Sequence, residues 1–350
     1  MKLVECVPNF SEGRNKKIID EIVREIESVQ GVKVLDVDPG VDTNRTVVTF
    51  VGEPEAVLEG AFCGIKAASE RIDMRLHKGV HPRLGATDVC PFVPLANVSV
   101  EECINLAKRL GKRVANDLSI PIYLYEKAAT RPERRNLEEI RAGEYEGLPK
   151  KLNDPNWKPD FGDPLFNARS GATIIGVREL LIAYNVNLNT KDPKLAHDIA
   201  LDIREKGRAK RDENGEIVID SEGKKVRIPG RLKACKAVGW YMEAFQCAQV
   251  SMNLTDYHVT PVYEAFEAVV EEAAKRGLRV TGSELVGLIP LEAMLQVGDY
   301  YLKRQGKATD YPEKERIRIA VQSLGLSELS PFHPEKKIIE YCIKDKNSNP

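Results

Sequence analysis

The order of elements legible in the first 125 residues recurs beyond residue 180, and this repetition constrains the fold of the 350-residue chain more than any single motif. In the first pass, residues 3–7 form a short apolar strand. Ile18, Ile19, Ile22, Val23, Ile26 and Val29 then recur at helical spacing with Lys and Glu left outside. Strands over 32–38 and 46–52 are joined by the turn-forming stretch 39–45. Pro54 suits the first turn of a second helix, with Val57, Ala61, Ile65, Ala68 and Ile72 as its apolar stripe. A strand over 89–95 follows. Ser99 with Glu102 three residues on marks the start of a further helix as a capping box, and residues 121–125 are another strand. In the second pass, strands near 180–188, 236–241, 249–254 and 278–281 are interleaved with helices over 193–206 and 261–276.

Strand, helix, strand, strand, helix, strand is the split βαβ order of ferredoxin-like folds. The expected fold class is α/β (α+β): two tandem ferredoxin-like subdomains, each a mixed sheet with helices packed on one face, plus a C-terminal helical tail. The expected boundaries are 1–172, 173–304 and an extension over 305–350 whose last residues, 344–350, fray. Residues 148–173 break into Pro, Gly, Asn, Asp and aromatic residues and are either a linker or a binding loop. Residues 212–228 have the pattern of an exposed hairpin inserted in the second unit.

Two compact domains suit this length. A formal net charge of -1, with 30% charged and 42% hydrophobic residues, argues against a nucleic-acid carrier and favours small-molecule or subunit partners. The N-terminus is too short and polar for a signal peptide and no apolar run reaches membrane-spanning length, so the expectation is a cytoplasmic protein with no membrane partner. Seven dispersed cysteines without CxxC spacing read as reduced thiols and no structural zinc. No Walker loop or GxGxxG fingerprint indicates a nucleotide cofactor.

The stretch Val80-His81-Pro82-Arg83-Leu84-Gly85-Ala86-Thr87-Asp88-Val89-Cys90-Pro91-Phe92 sets a histidine in a polar turn before an apolar strand. Proline disfavours helical geometry in the residue before it, so His81 lies on an extended or turning segment, where an imidazole can exchange protons near neutral pH. On residue type alone, an ordinary hydrogen-bonded histidine is the commoner use. Asp73, His77 and His81 have the four-residue spacing of a helical metal grip, but Gly79 and Pro82 argue against a continuous helix, and no metal is expected. Cys90 lies in an apolar strand where a buried, inert thiol is the usual reading.

Asp36 and Asp38 alternate with valines, so they share one face of a strand. Asp38 orients an imidazole, binds a substrate amine or, the commoner use, caps its turn. Arg45, after Asn44, either holds a substrate carboxylate through two hydrogen bonds or is a solvated residue at a strand start. The stretch Gly162-Asp163-Pro164-Leu165-Phe166-Asn167-Ala168-Arg169-Ser170-Gly171 combines apolar and aromatic surface, backbone donors and one cation, a mixture that suits a flat heteroaromatic ligand with an acidic tail. The basic runs at 108–113 and 208–211 can attract such a tail, although charge runs are usually solvated faces.

Together these residues resemble the formiminotransferase family, whose animal members join a glutamate formiminotransferase to a cyclodeaminase. The resemblance rests on Leu3-Val4-Glu5-Cys6-Val7-Pro8-Asn9-Phe10-Ser11-Glu12-Gly13, Leu35-Asp36-Val37-Asp38, Thr43-Asn44-Arg45-Thr46 and the His81 stretch. It continues through Arg141-Ala142-Gly143-Glu144-Tyr145-Glu146, Leu148-Pro149-Lys150-Lys151-Leu152, Pro159-Asp160-Phe161-Gly162 and Leu285-Val286-Gly287-Leu288-Ile289-Pro290-Leu291, and covers about the first 304 residues.

The resemblance implies transfer of a formimino group from N-formimino-L-glutamate to N5 of tetrahydrofolate, a co-substrate that can be polyglutamylated, with release of glutamate in histidine breakdown. It implies two α/β subdomains with a ligand groove between them, and a homodimer. His81 matches the family's catalytic histidine, Asp38 an aspartate near the reacting group, and residues 162–171 the folate-binding segment. Asn44 and Arg45 are then the substrate-binding candidates. The cyclodeaminase part is missing from the resemblance, so no release of ammonia from the product is expected. Ser170 stands where animal members carry an aromatic. Formyl rather than formimino transfer, and folate binding without catalysis, are the competing readings.

Overall fold

The computed structural model describes residues 2–41, 43–79 and 81–344, so Asp42 and Val80, and residues 345–350 of the expected frayed end, lie outside the described residues. The chain divides into two units at 179/180.

The first unit opens on β1 (Leu3–Cys6) and β2 (Asn9–Phe10), one strand interrupted at Val7-Pro8. Then come α1 (Lys16–Glu27), β3 (Val32–Gly40), β4 (Arg45–Gly52), α2 (Pro54–Arg71) and β5 (Thr87–Ala96). The unit closes with α3 (Val100–Leu118), β6 (Ile122–Glu126), α4 (Leu137–Arg141), α5 (Glu144–Leu152) and β7 (Thr173–Val177). Side-chain caps set the starts of α1 and α3. The Asn15 carboxamide accepts from the amides of Lys17 and Ile18, and Ser99 and Glu102 form the expected capping box.

The sheet runs β3, β4, β1/β2, β5, β7, β6, antiparallel up to β5 and parallel from β5 through β7 to β6. Its first four positions are the ferredoxin-like order. One face is buried by α1, α2 and α3, which pack Ile22, Ile26, Ile65 and Leu110 against Phe50 and Phe92. Truncating one of these aliphatic side chains to alanine removes about 2–5 kcal/mol of stability. The other face is covered at its parallel end, where Ile140, Leu148 and Leu152 from α4 and α5 meet Tyr123, Tyr125 and Ile174. That second helical layer is additional to the expected single one. Because β7 pairs with β5 and β6, the first unit ends at Glu179 and not at residue 172.

The second unit comprises β8 (Ile182–Leu188), α6 (Pro193–Ile203), β9 (Arg208–Ala209), β10 (Arg227–Ile228), β11 (Cys235–Met242) and β12 (Cys247–Leu254). It continues with α7 (Val262–Lys275), β13 (Val280–Val286), α8 (Leu291–Arg304), α9 (Glu313–Leu324), α10 (Pro334–Lys337) and α11 (Ile339–Lys344). Its sheet order β11, β12, β8, β13 is again ferredoxin-like, but antiparallel throughout and not mixed. β9 and β10 form the stem of an exposed insertion that contains the expected 212–228 hairpin. The expected extension after 304 is part of this unit, since Ile317, Ala320, Leu324 and Ile338 join the core built on Tyr184, Val186 and Val250. Among the described residues, no helix is long and apolar enough to cross a membrane.

Candidate active site

The loop between α2 and β5 carries His77 and His81, and the tight turn between β3 and β4 carries Asn44 and leads into Arg45, the first residue of β4. The structure brings these two segments together. Arg45 Nη1 lies 2.5 Å from His81 Nε2, and His81 Nδ1 lies 2.7 Å from the Pro82 carbonyl oxygen. A guanidinium only donates and a carbonyl only accepts. His81 is therefore neutral, protonated at Nδ1, with its Nε2 lone pair facing Arg45.

Three features hold the His81 pKa down to about 4: burial first, then the positive charges of Arg45 and Arg141, partly offset by Asp88 and the bond to Pro82. Arg45 is itself lowered to about 10, chiefly by burial and then by Arg141, while Asp88 and Asp38 act in the opposite direction. Asp88 is fully buried; it accepts from the Leu84 amide at 2.9 Å and pairs with Arg141 of α4.

Residues 162–171 pack against the same loop. The Met74 amide donates to the Arg169 carbonyl and the Ala86 amide to the Ser170 carbonyl, at 2.9 and 2.8 Å, so the segment is tied to both ends of the histidine loop. Gly85 and Gly171 bridge at the crossing. A Cβ on Gly171, whose φ is +67°, would fall 2.3 Å from the Leu84 oxygen, so only glycine permits this approach. The Asn167 side chain locks the turn, accepting from the Ser170 amide and donating to the Ser119 carbonyl. Leu165 and Phe166 stand out from this fixed backbone, 71% and 38% exposed, with Phe166 5.4 Å from the Tyr145 ring. An exposed apolar edge on a rigid backbone fits a planar heteroaromatic ligand.

The chain matches the model of the formiminotransferase domain's N-terminal subdomain over residues 3–178 and that of the formiminotransferase domain over 183–344. The chain belongs to the formiminotransferase family. It is 50% identical to the formimidoyltransferase-cyclodeaminase of Gallus gallus, over 98% of this chain and 60% of that protein. It is 45% identical to the glutamate formimidoyltransferase of Thermoplasma acidophilum and 43% to that of Streptococcus pyogenes serotype M1, over 87% and 86% of this chain and 94% of each relative. The chain thus spans about 60% of the length of its cyclodeaminase-bearing relatives and nearly all of the shorter ones. Family similarity runs to residue 344, beyond the 304 expected from motifs alone.

Within this family frame several expected residues take different places. Asp38 is exposed on β3, opposite Val47, and among the described residues it makes no hydrogen bond to His81. Its charge acts on Arg45, and the carboxylate whose charge acts on His81 is Asp88. The Asn44 carboxamide is buried and spoken for at both ends, accepting from the Gly13 amide at 3.0 Å and donating to the Lys78 carbonyl at 2.9 Å. These two bonds join the segment before α1 to the histidine loop through the β3–β4 turn. The Arg169 guanidinium donates to the Ser69 and Glu70 carbonyls at the end of α2, where a cation meets the negative end of the helix dipole. Ser170 is buried and offers no stacking surface. The basic run on α3 is a face of ion pairs, Arg109 with Glu55 and Arg113 with Glu59. Cys90 is fully buried, its Sγ 3.5 Å from that of Cys6.

Sequence reasoning missed two buried ion-pair groups, Asp88 with Arg141 and Arg83 with Glu144 and Glu146. Arg83 is buried and spans to Glu146 at 2.6 Å and Glu144 at 2.9 Å. The signal available was a charged residue, Arg83 or Asp88, inside an otherwise apolar strand approach, since buried charges need partners.

Proposed function

We propose that this chain is a glutamate formimidoyltransferase that moves the formimino group of N-formimino-L-glutamate to N5 of tetrahydrofolate, giving 5-formiminotetrahydrofolate and L-glutamate in histidine degradation. Two relatives whose length the chain nearly spans bear the name glutamate formimidoyltransferase, which favours the formimino over the formyl donor. The observation that carries the residue roles is the neutral His81, its Nε2 lone pair turned toward Arg45.

In the transfer, a bond forms between N5 and the formimino carbon and N5 loses a proton; the bond from that carbon to the glutamate nitrogen breaks and the nitrogen gains a proton. His81 Nε2 takes the first proton and delivers the second. Positioned acid–base help of this kind is worth about two to four powers of ten in rate. Arg45 binds a carboxylate of the glutamate moiety. Once the guanidinium is drawn to that carboxylate, the lone pair of His81 is released, the positive field over the ring is neutralised, and its basicity returns toward the working range. Residues 162–171 hold the folate, with the ring on the Leu165 and Phe166 edge. Asp38 acts through the charge of Arg45.

The test is a transfer assay with tetrahydrofolate and either N-formimino-L-glutamate or N-formyl-L-glutamate, measuring the 5-substituted folate and free glutamate. The formimino donor should be the faster. Preference for the formyl donor would reassign the substrate, and folate binding without transfer from either donor would leave a binding protein only.

A further inference from the structure

His77 stands between the β3–β4 turn and the Arg83 side chain, yet it touches none of the reacting groups assigned above. Its Nε2 lies 2.9 Å from the Asn44 carbonyl oxygen, and its Nδ1 accepts from Arg83 Nε at 3.1 Å. Only the neutral tautomer protonated at Nε2 satisfies both partners. Arg83 is in turn anchored by Glu144 and Glu146, and the Arg83 carbonyl accepts from the Tyr145 amide at 2.9 Å. The imidazole thus links the β3–β4 turn to the first turn of α5. The two loops touch closely here: a Cβ on Gly79 would fall 2.3 Å from the Thr43 oxygen. Asn44 itself sits in the left-handed region, at φ 48°, so the turn that presents Arg45 is held in a conformation a free loop seldom adopts.

We propose that His77 is a positioning residue, whose bridge from the Asn44 carbonyl to the Arg83 guanidinium fixes the turn bearing Arg45 against the loop bearing His81 and so sets the Arg45–His81 geometry. The proposal rests on the reading of His81 as the proton-transfer group. Arg45 follows directly on the residue whose carbonyl His77 holds, and His81 lies four residues beyond His77 on the same loop. A displacement of about 1 Å at such a junction can cost a hundredfold in turnover.

The charged groups around His77 are Arg83 on its own loop and Glu12 and Arg14 from the segment before α1, with Glu144 and Glu146 beyond Arg83. Burial, then Arg83 and Arg14, lower its pKa, against the Asn44 bond and Glu12. A second ring proton would face the Arg83 N–H and break the bridge. His77 is therefore a neutral spacer through the working pH range, and not a second proton carrier.

The experiment compares H77A, H77Q and H81N by steady-state kinetics, tetrahydrofolate binding, thermal melting and ring-proton NMR titration of His81. In H77A, kcat should fall about a hundredfold while folate affinity stays within about threefold, and the His81 pKa should rise as Arg45 drifts away. H77Q keeps a donor for the Asn44 carbonyl and should recover a substantial part of that loss. If H77A fails to fold, H77Q must still show a reduced kcat with a raised His81 pKa. Wild-type kcat and an unmoved His81 titration in either folded variant would overturn the proposal. H81N separates the two ideas: full turnover in H81N refutes the catalytic reading, whereas the His81 titration in the His77 variants reports the bridge whatever His81 does.

Discussion

Arg45 and His81 are 36 residues apart in sequence and in direct contact, with Nη1 2.5 Å from Nε2. Burial first, and then this cation set on the lone pair, hold the His81 pKa down to about 4. The Nε2 lone pair of His81 is therefore covered by the Arg45 guanidinium. Replacing Arg45 with glutamine removes the charge and keeps a donor. The His81 pKa should then move up toward its ordinary value of about 6.5, and the acid limb of kcat/KM should move up with it. The KM for formiminoglutamate should rise as well, because the carboxylate loses its partner. NMR titration of the His81 ring checks the first point directly; a pKa still near 4 in R45Q would show that burial alone sets it.

His81→Ala should reduce kcat by about two to four powers of ten and leave tetrahydrofolate affinity largely intact, because residues 162–171 are held by backbone bonds that His81 does not make. Single-turnover kinetics and equilibrium folate titration separate the two quantities. Near-normal turnover removes His81 from the mechanism.

What could be read from the sequence, and what could not, follows from range of interaction. The alternation around Val32–Gly40 and Arg45–Gly52, the cap at Ser99 and the stripe of α1 are local signals, and each element appears close to its expected place. The pairing of β7 between β5 and β6 is nonlocal, so the boundary at 172 came seven residues early. The same holds in the site. The His81 turn and the mixed apolar and polar run 162–171 are local features that the sequence displays, and their expected roles came from the family resemblance, whereas the charged groups that act on His81 come from distant parts of the chain. Asp38 looked like the orienting carboxylate from its strand position, but its side chain is exposed at the strand end, and the buried Asp88, paired with Arg141 across 53 residues, acts on His81 instead. Arg134, almost fully buried and paired at 2.6 Å with Asp160, was equally invisible until the chain was folded.

Phe166 tests the assignment of the folate segment. Its ring packs 5.4 Å from Tyr145 and is 38% exposed, so the ring has a free surface for a planar ligand. Losing one aromatic contact of this kind is worth about 0.5–1.5 kcal/mol, so F166A should weaken tetrahydrofolate binding by up to about tenfold. The rate of transfer at saturating folate should change much less. Unaltered folate affinity, measured by fluorescence or calorimetric titration, would move the ring elsewhere.

Glu5 tests the electrostatics of the first sheet independently of the chemistry. It lies on β1 between Val51 of β4 and Val93 of β5, and it is buried. Burial raises its pKa from 4.5 to about 7, and Arg178 offsets only part of that. An acid whose folded pKa is raised favours the folded state while it is protonated. That contribution is complete below the unfolded pKa of 4.5 and is lost as pH rises through about 7. The difference of 2.5 pKa units, from 7 minus 4.5, corresponds to about 3 kcal/mol. Glutamine mimics the protonated acid, so E5Q should be more stable than the parent by up to about 3 kcal/mol near pH 8.5 and indistinguishable from it near pH 4. Denaturant melts at the two pH values measure the gap directly. An equal stability difference at both would show that Glu5 titrates normally and that its carboxylate is solvated in the folded chain.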